Sequence, residues 1–193
     1  MQAVQAQESV NALNNFKLST RVKLKDSNKK LSVIAVADAS QCSDRSKAYI
    51  IMSAPFSSGH ELIAQHKGKT IGFAELSYNA SYLDRIDNYE PDSYSHVGSA
   101  LVEVTARLAL LSGFKSVGLY AVDSSTVFHF KMGARFNDVD TDEAVKDIIT
   151  QDLDDDPRIF GEMRLDIAQK SSGKDSPRLM SKILKDEISQ LSL

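Results

Sequence analysis

The chain has one cysteine, Cys42, among its 193 residues. No intramolecular disulfide can form, and a reducing compartment is compatible with that usage. Cys42 sits in the polar run DASQCSDRSK, without the base and electropositive setting that a nucleophilic thiolate needs, so it reads as a bystander thiol. No apolar run approaches the roughly 18 residues of a membrane-spanning helix. The opening MQAVQAQESVNALNN has neither a basic n-region nor an apolar h-region, which argues against a cleavable secretory signal. A soluble, cytoplasmic chain is the expectation, with no membrane partner. Positive charge is not in excess either: 23 Lys and Arg face 26 Asp and Glu. No global basic field exists to attract nucleic acid, and no nucleic-acid partner is expected. The four histidines lack metal-site spacing among themselves or with Cys42. Asp152, Asp154, Asp155 and Asp156 lack the Gly and terminal Glu of a calcium loop and read as a solvated acidic loop. No metal site is expected, and no internal repeat or low-complexity tract is visible.

What is present is a change of pattern along the chain. Residues 2–15 are polar helix formers, readable as a helix or a frayed end. Strands follow. Lys30–Ala37, Lys47–Ser53 and Thr70–Ser77 are short, rich in β-branched or aromatic residues and bounded by turn residues. Phe16–Leu24 and Ala80–Ile86 are weaker candidates, and DASQCSDRS and APFSSGH read as loops. Val97–Ser112 is a helix by the spacing of Val97, Ala100, Leu101, Val104, Leu108 and Leu111, closed by Gly113. Glu103 and Arg107 form an i,i+4 pair on its narrow polar side. Ser116–Val122 is apolar on both faces, as in the centre of a covered sheet. Asp123 or Ser124 can cap a short helix through Met132, closed by Gly133. An acidic helix near Asp142–Ile149, with Asp140 and Glu143 as a capping box, precedes a strand at Phe160–Asp166. Residues 169–176 read as a linker. Ser176–Pro177 then starts an amphipathic helix with the stripe Leu179, Met180, Ile183, Leu184, Ile188 and Leu191. The expected division is a polar segment 1–15, one domain over 16–168, the linker, and a helix over 177–193.

The stretch His96–Phe136 carries the chemistry. A Gly-containing turn opening a helix offers free N–H groups and a positive dipole end to a phosphate. Strands, turn, helix, strand, helix and strand at this spacing resemble the GNAT superfamily of CoA-dependent N-acyltransferases. In that family TIGFAEL resembles the third sheet strand and SYLDRID the fourth. SYSHVGSAL takes the place of the pyrophosphate loop, and VFHFKMGARF is similar to the Phe-Tyr-x-Lys-x-Gly-Phe segment. Gly98, Phe128, Lys131 and Gly133 match. Ser93 replaces the usual Arg or Gln, and His96 the middle Gly, where a Cβ crowds a phosphate. His129 stands where many members carry a tyrosine, and Asp123 near a cofactor-contacting asparagine.

The resemblance implies an α+β fold: a mixed, mostly antiparallel sheet flanked by helices, with the C-terminal amphipathic helix appended. It implies acetyl-CoA or another acyl-CoA as cofactor, held by Ile86, His96, Val97, Gly98, Ser99, Ala100, Ser125 and Phe128. The reaction implied is acyl transfer, most often of acetyl, to a primary amine. His129 would protonate the leaving thiolate, and Glu75, or Asp84 or Asp87, would serve as base. Each has a structural alternative: Gly98 as a packing turn, His96 as an exposed loop residue, His129 as a packing histidine, Glu75 as a solvated strand residue. Ser93 and Ser95 have no His/Asp order around them and read as loop polarity. The rival function is a GNAT-derived interaction module with weakened cofactor use. The helix at 177–193 docks on its own domain or serves a homodimer or another partner.

Overall fold

The computed structural model describes residues 2–53, 59–77, 80–122, 125–151 and 159–167. The chain forms two compact units, Met1–Phe114 and Lys115–Leu193. The linker, the C-terminal helix and the Asp152–Asp156 cluster lie outside the described residues.

The first unit begins with helix α1 (Gln2–Leu13), which buries Ala6, Ser9, Val10 and Leu13 at helical spacing. Six strands follow: β1 (Phe16–Leu24), β2 (Lys30–Val36), β3 (Ala48–Met52), β4 (Gly59–His66), β5 (Lys69–Ser77) and β6 (Tyr82–Asn88). A two-residue strand β7 (Tyr94–Ser95) leads into helix α2 (Val97–Leu111). The order across this unit is β7-β1-β2-β3-β4-β5-β6. Neighbours run antiparallel except β2 and β3, which are parallel and joined by a crossover holding one 3-10 turn, Ala39–Gln41.

β4 is a strand where no strand was expected, and it takes in Gly59 and His60 from the expected loop. Its inward positions are His60, Leu62, Ala64 and His66. Alternation is present, but two of the four are polar and one is alanine, so the usual β-branched signal is missing. TIGFAEL and SYLDRID accordingly lie in the fifth and sixth strands of this chain.

Connectivity forces this sheet to curl. Laid flat, seven strands would separate β6 from β7 by about 29 Å. Residues 89–93 join them and span at most about 20 Å. The concave side holds α2, which packs on β1, β4, β5, β6 and α1. Gly72 lets it approach: a Cβ there would stand 2.5 Å from Val97 Cγ1 and 2.9 Å from the Asp87 carbonyl. The far end of α2 closes with Phe114 N–H donating to Ala109 O and Gly113 N–H to Leu110 O, Gly113 being left-handed.

The Glu103–Arg107 pair is present but does not face water. Glu103 is 0% exposed and Arg107 2%. The β1–β2 register breaks between Lys17 and Arg21, and Glu103 accepts the amides of Ser19 at 2.9 Å and Thr20 at 2.8 Å. Arg107 donates to Glu103 Oε1 from Nη2 at 2.6 Å and Nε at 3.0 Å. Its guanidinium lies 4.4 Å from the centre of the Phe16 ring. The polar side of α2 is thus turned onto a strand whose bulge leaves amides to be satisfied.

The second unit contains β8 (Ser116–Ala121), α3 (Ser125–Met132), β9 (Ala134–Phe136), α4 (Val139–Thr150) and β10 (Gly161–Asp166), with β10 antiparallel to both β8 and β9. β8 is covered on one face only, contrary to expectation: Val117, Leu119 and Ala121 are buried, while Tyr120 and Val122 are about half exposed. Helix α4 is capped by Asp138, which accepts the Thr141 amide at 3.0 Å, rather than by Asp140. The helix therefore starts two residues earlier than the Asp140/Glu143 pattern suggests.

Glu103→Ala should lower unfolding free energy by about 3–5 kcal/mol, because it strands a buried guanidinium and two amides. Glu103→Met paired with Arg107→Leu should cost less than the single change. Urea denaturation of the three proteins decides it; an equal or larger loss in the double variant would sink the argument.

Candidate active site

The connection from β6 to α2 is held from several sides. Tyr89 N–H donates to Ile71 O at 3.0 Å, and Glu90 O accepts the amides of Ser93 and Tyr94. Asn88 accepts the Glu90 amide and donates to Tyr94 O. Lys69 pairs with Glu90 at 2.6 Å. Lys25 N–H donates to Ser93 O at 3.0 Å, and Lys23 lies opposite Ser95 in the β1–β7 pairing. On the inner side the Tyr94 hydroxyl meets His66 Nδ1 at 3.0 Å, the rings edge to face. His66 is 2% exposed, and burial pushes its pKa down. Neither Tyr94 nor His66 stood out in the sequence; the alternation of β4 was the available signal.

His96 then turns the chain. Its φ is +67° and ψ +13°, a left-handed conformation at the N-cap, and its side chain is exposed and makes no cap hydrogen bond. A non-glycine residue pays about 1 kcal/mol for this conformation. The turn therefore keeps a shape suited to glycine although glycine is absent. Ala100 N–H donates to His96 O at 3.1 Å, the first bond of the helix. Among the described residues, the amides of Val97, Gly98 and Ser99 meet no acceptor. Val97 and Ala100 are buried anchors, while Gly98 and Ser99 are half-buried. Backbone N–H groups rather than side chains are what this turn presents.

The carboxylates on β5 and β6 do not converge on it. Gly72 faces α2, and strand alternation puts Ala74 and Leu76 on that side and Glu75 on the other. Glu75 is exposed, opposite Glu61 on β4 and Arg85 on β6. Asp84 is exposed, and Asp87 is tied to Arg85 at 2.6 Å. Ile86, opposite Ala74, is half-buried.

In the second unit, Ser125 closes the corner between β8 and α3. Its hydroxyl donates to Val122 O at 2.6 Å and accepts the Val122 amide at 3.0 Å. Phe128 is half-buried and stands edge to face with His129, ring centres 5.0 Å apart. Lys131 is exposed, and left-handed Gly133 ends the helix by donating to Phe130 O. Arg135, unnoticed in the sequence, lies over the Phe130 ring at 3.9 Å and donates to Phe130 O and Ala134 O. Asp123 lies outside the described residues.

His129 is 4% exposed, and burial pushes its pKa down to about 4. At neutral pH its ring is uncharged and carries no proton to give up as an imidazolium. Among the described residues, no three His, Cys, Asp or Glu side chains gather as a metal site, and no helix is long and apolar enough to cross a membrane.

The lowered pKa couples to stability. Above pH 6.5 the ring is neutral whether folded or unfolded; as pH falls toward 4, the unfolded chain takes up the proton first. Stability should fall by up to about 3 kcal/mol over that window. His129→Phe should flatten this part of the profile in chemical denaturation at several pH values, and an unchanged slope would count against it.

No protein-family model matches the chain. No curated protein matches it in sequence. Among solved structures, it is similar to a protein described as a streptothricin acetyltransferase from Bacillus anthracis strain Ames, in complex with acetyl coenzyme A. That match has 18% identity and a TM-score of 0.42, covering 57% of this chain and 64% of the other. A nourseothricin acetyltransferase matches at 16% identity and a TM-score of 0.40, covering 83% of this chain and 92% of the other. An acetyltransferase from Streptococcus agalactiae 2603 matches at 17% identity and a TM-score of 0.35, covering 56% and 66%. The chain thus spans about two thirds of the length of the first and third.

Proposed function

We propose that this chain is an acyl-CoA-dependent N-acyltransferase, with acetyl as the acyl group and a primary amine as acceptor. The observation that carries the reading is the left-handed turn at His96, followed by the unsatisfied amides of Val97, Gly98 and Ser99 at the start of a buried helix. The likeness of SYSHVGSAL and VFHFKMGARF to the GNAT segments supports it.

The turn fits a pyrophosphate in what it offers: aligned N–H donors, the positive end of α2, and no side chain capping them. Ser93 supplies no charge, but Lys23, opposite Ser95 on β1, and Lys25, just past the end of β1 and bonded to Ser93 through the backbone, are its neighbours in the chain fold. Acyl-CoA, when bound, supplies a thioester open to attack by an amine. The protein's part is to orient the two and to direct N–H groups at the carbonyl oxygen. His129, buried against Phe128 and neutral at pH 7, serves as a packing group rather than a net proton donor. Glu75 stands on the solvent face of β5, away from α2, so on this reading water takes the amine proton and CoA would leave as the thiolate.

Calorimetric titration with acetyl-CoA is the direct test. Binding at micromolar to submillimolar concentration is expected, and none at millimolar ligand overturns the reading. His96→Gly, which relieves the left-handed cost and clears the approach to the turn, should tighten binding by about threefold or more. Gly98→Val should weaken it by about tenfold. Binding without turnover across a panel of amines would instead support the interaction module.

A further inference from the structure

A cavity of about 290 Å³ opens between the β2–β3 crossover and the β4–β5 hairpin. It lies on the convex face of the first unit's sheet. β4 alternation puts Gln65 opposite in direction to Ala64 and His66, and Tyr49 pairs with Gln65 across β3 and β4. It is therefore separate from the turn at α2, which sits on the concave side.

Tyr49 forms its floor. The ring is 6% exposed and packs with Val36, Ile51, Ile63 and Cys42. Its hydroxyl accepts the Asp44 amide at 3.1 Å, and no described group accepts the hydroxyl proton in return. A buried hydroxyl at the bottom of an open cavity calls for an acceptor there.

The walls supply further donors. Arg45, Lys67 and the Gln65 amide line the cavity, and among the described residues none has an ion pair or a side-chain hydrogen bond. Lys67 and Gly68 both have positive φ, which makes the hairpin a tight turn and fixes where the lysine stem begins. The opposing charge is already engaged: Asp44 accepts Ser46 N–H at 2.9 Å, Ser46 O–H at 2.6 Å and Lys47 at 2.9 Å. Cys42 adds no negative charge, because burial, with Asp38 nearby, raises its thiol pKa. Among the described residues, the cavity presents two cations without an ion pair and two neutral donors, and the one carboxylate lining it, Asp44, is already occupied.

We infer that this cavity binds a small molecule through an oxyanion, a phosphate or a carboxylate. Tyr49 and Gln65 donate to its oxygens, and Arg45 and Lys67 balance its charge. The volume stands at the small end of ligand pockets, which favours a compact molecule over a nucleotide.

The test is titration of the full-length, nitrogen-15-labelled chain with inorganic phosphate and, separately, with succinate. The readouts are the Asp44 backbone amide and the Gln65 side-chain amide in proton–nitrogen spectra. Saturable shifts at millimolar ligand are expected. Arg45→Ala and Lys67→Ala should each weaken binding about tenfold, with Lys146→Ala, in α4, without effect. Tyr49→Phe, checked for folding by circular dichroism, should also weaken it. Saturation by phosphate alone or by succinate alone supports the site and identifies the group it prefers. Shifts that never saturate, or an equal loss in Lys146→Ala, would overturn it. So would shifts confined to Val97–Ala100, although those would favour the phosphate turn at α2. The acetyl-CoA titration can fail without touching this result.

Discussion

The first unit depends on how a carboxylate is buried at its centre. Glu103 lies in the middle of a helix enclosed by a curled sheet, where an unpaired charge would be prohibitive. It is tolerated because three groups converge on it: the amides of Ser19 and Thr20, released from the β1–β2 ladder at a register break, and the guanidinium of Arg107. This arrangement fixes β1 against α2 in one register. A slip of one residue would take the bulge amides away from the carboxylate and leave Arg107 as its partner from α2. Since β1 also pairs with β7, the same contact sets where the chain turns into α2.

The turn before α2 has the backbone shape of a glycine turn without a glycine. Glycine at the middle position is favoured because it adopts positive φ freely. Here His96 adopts it under compulsion: β7 is held by β1 on one side, and Val97 is buried against Gly72 on the other. Tyr94, bonded to buried His66, leaves little freedom two residues earlier. The local penalty of about 1 kcal/mol is small beside the burial of Val97, Ala100 and Leu101 that it permits.

Chemistry in the second unit is governed by burial rather than by residue type. A histidine ordinarily titrates near neutrality. Yet the side chain of His129 is enclosed, and loss of hydration disfavours its charged form. Ser125 likewise has its hydroxyl engaged by the backbone of Val122. Position in the chain therefore says where these side chains are, while their protonation and availability depend on what packs around them.

From the order of residues alone one can read α2 with its Gly113 stop, the strands with β-branched alternation, and the two segments that resemble an acyltransferase. These depend on periodicity and local conformational preference, which a chain carries with it. β4 escaped because polar His60 and His66 occupy inward positions, and their burial is decided by strands distant in sequence. The curl of the sheet, the turning of Glu103 from the polar side of a helix onto a strand bulge, and the exposure of Tyr120 were decided in the same way. So were the outward direction of Glu75 and the neutral state of His129. Each depends on which segments meet, since hydration, hydrogen-bond satisfaction and charge are properties of the assembled surroundings. The sequence by itself determined the elements with strong periodicity and the segments that resemble an acyltransferase; tertiary structure decided β4 and which polar groups remain available for chemistry.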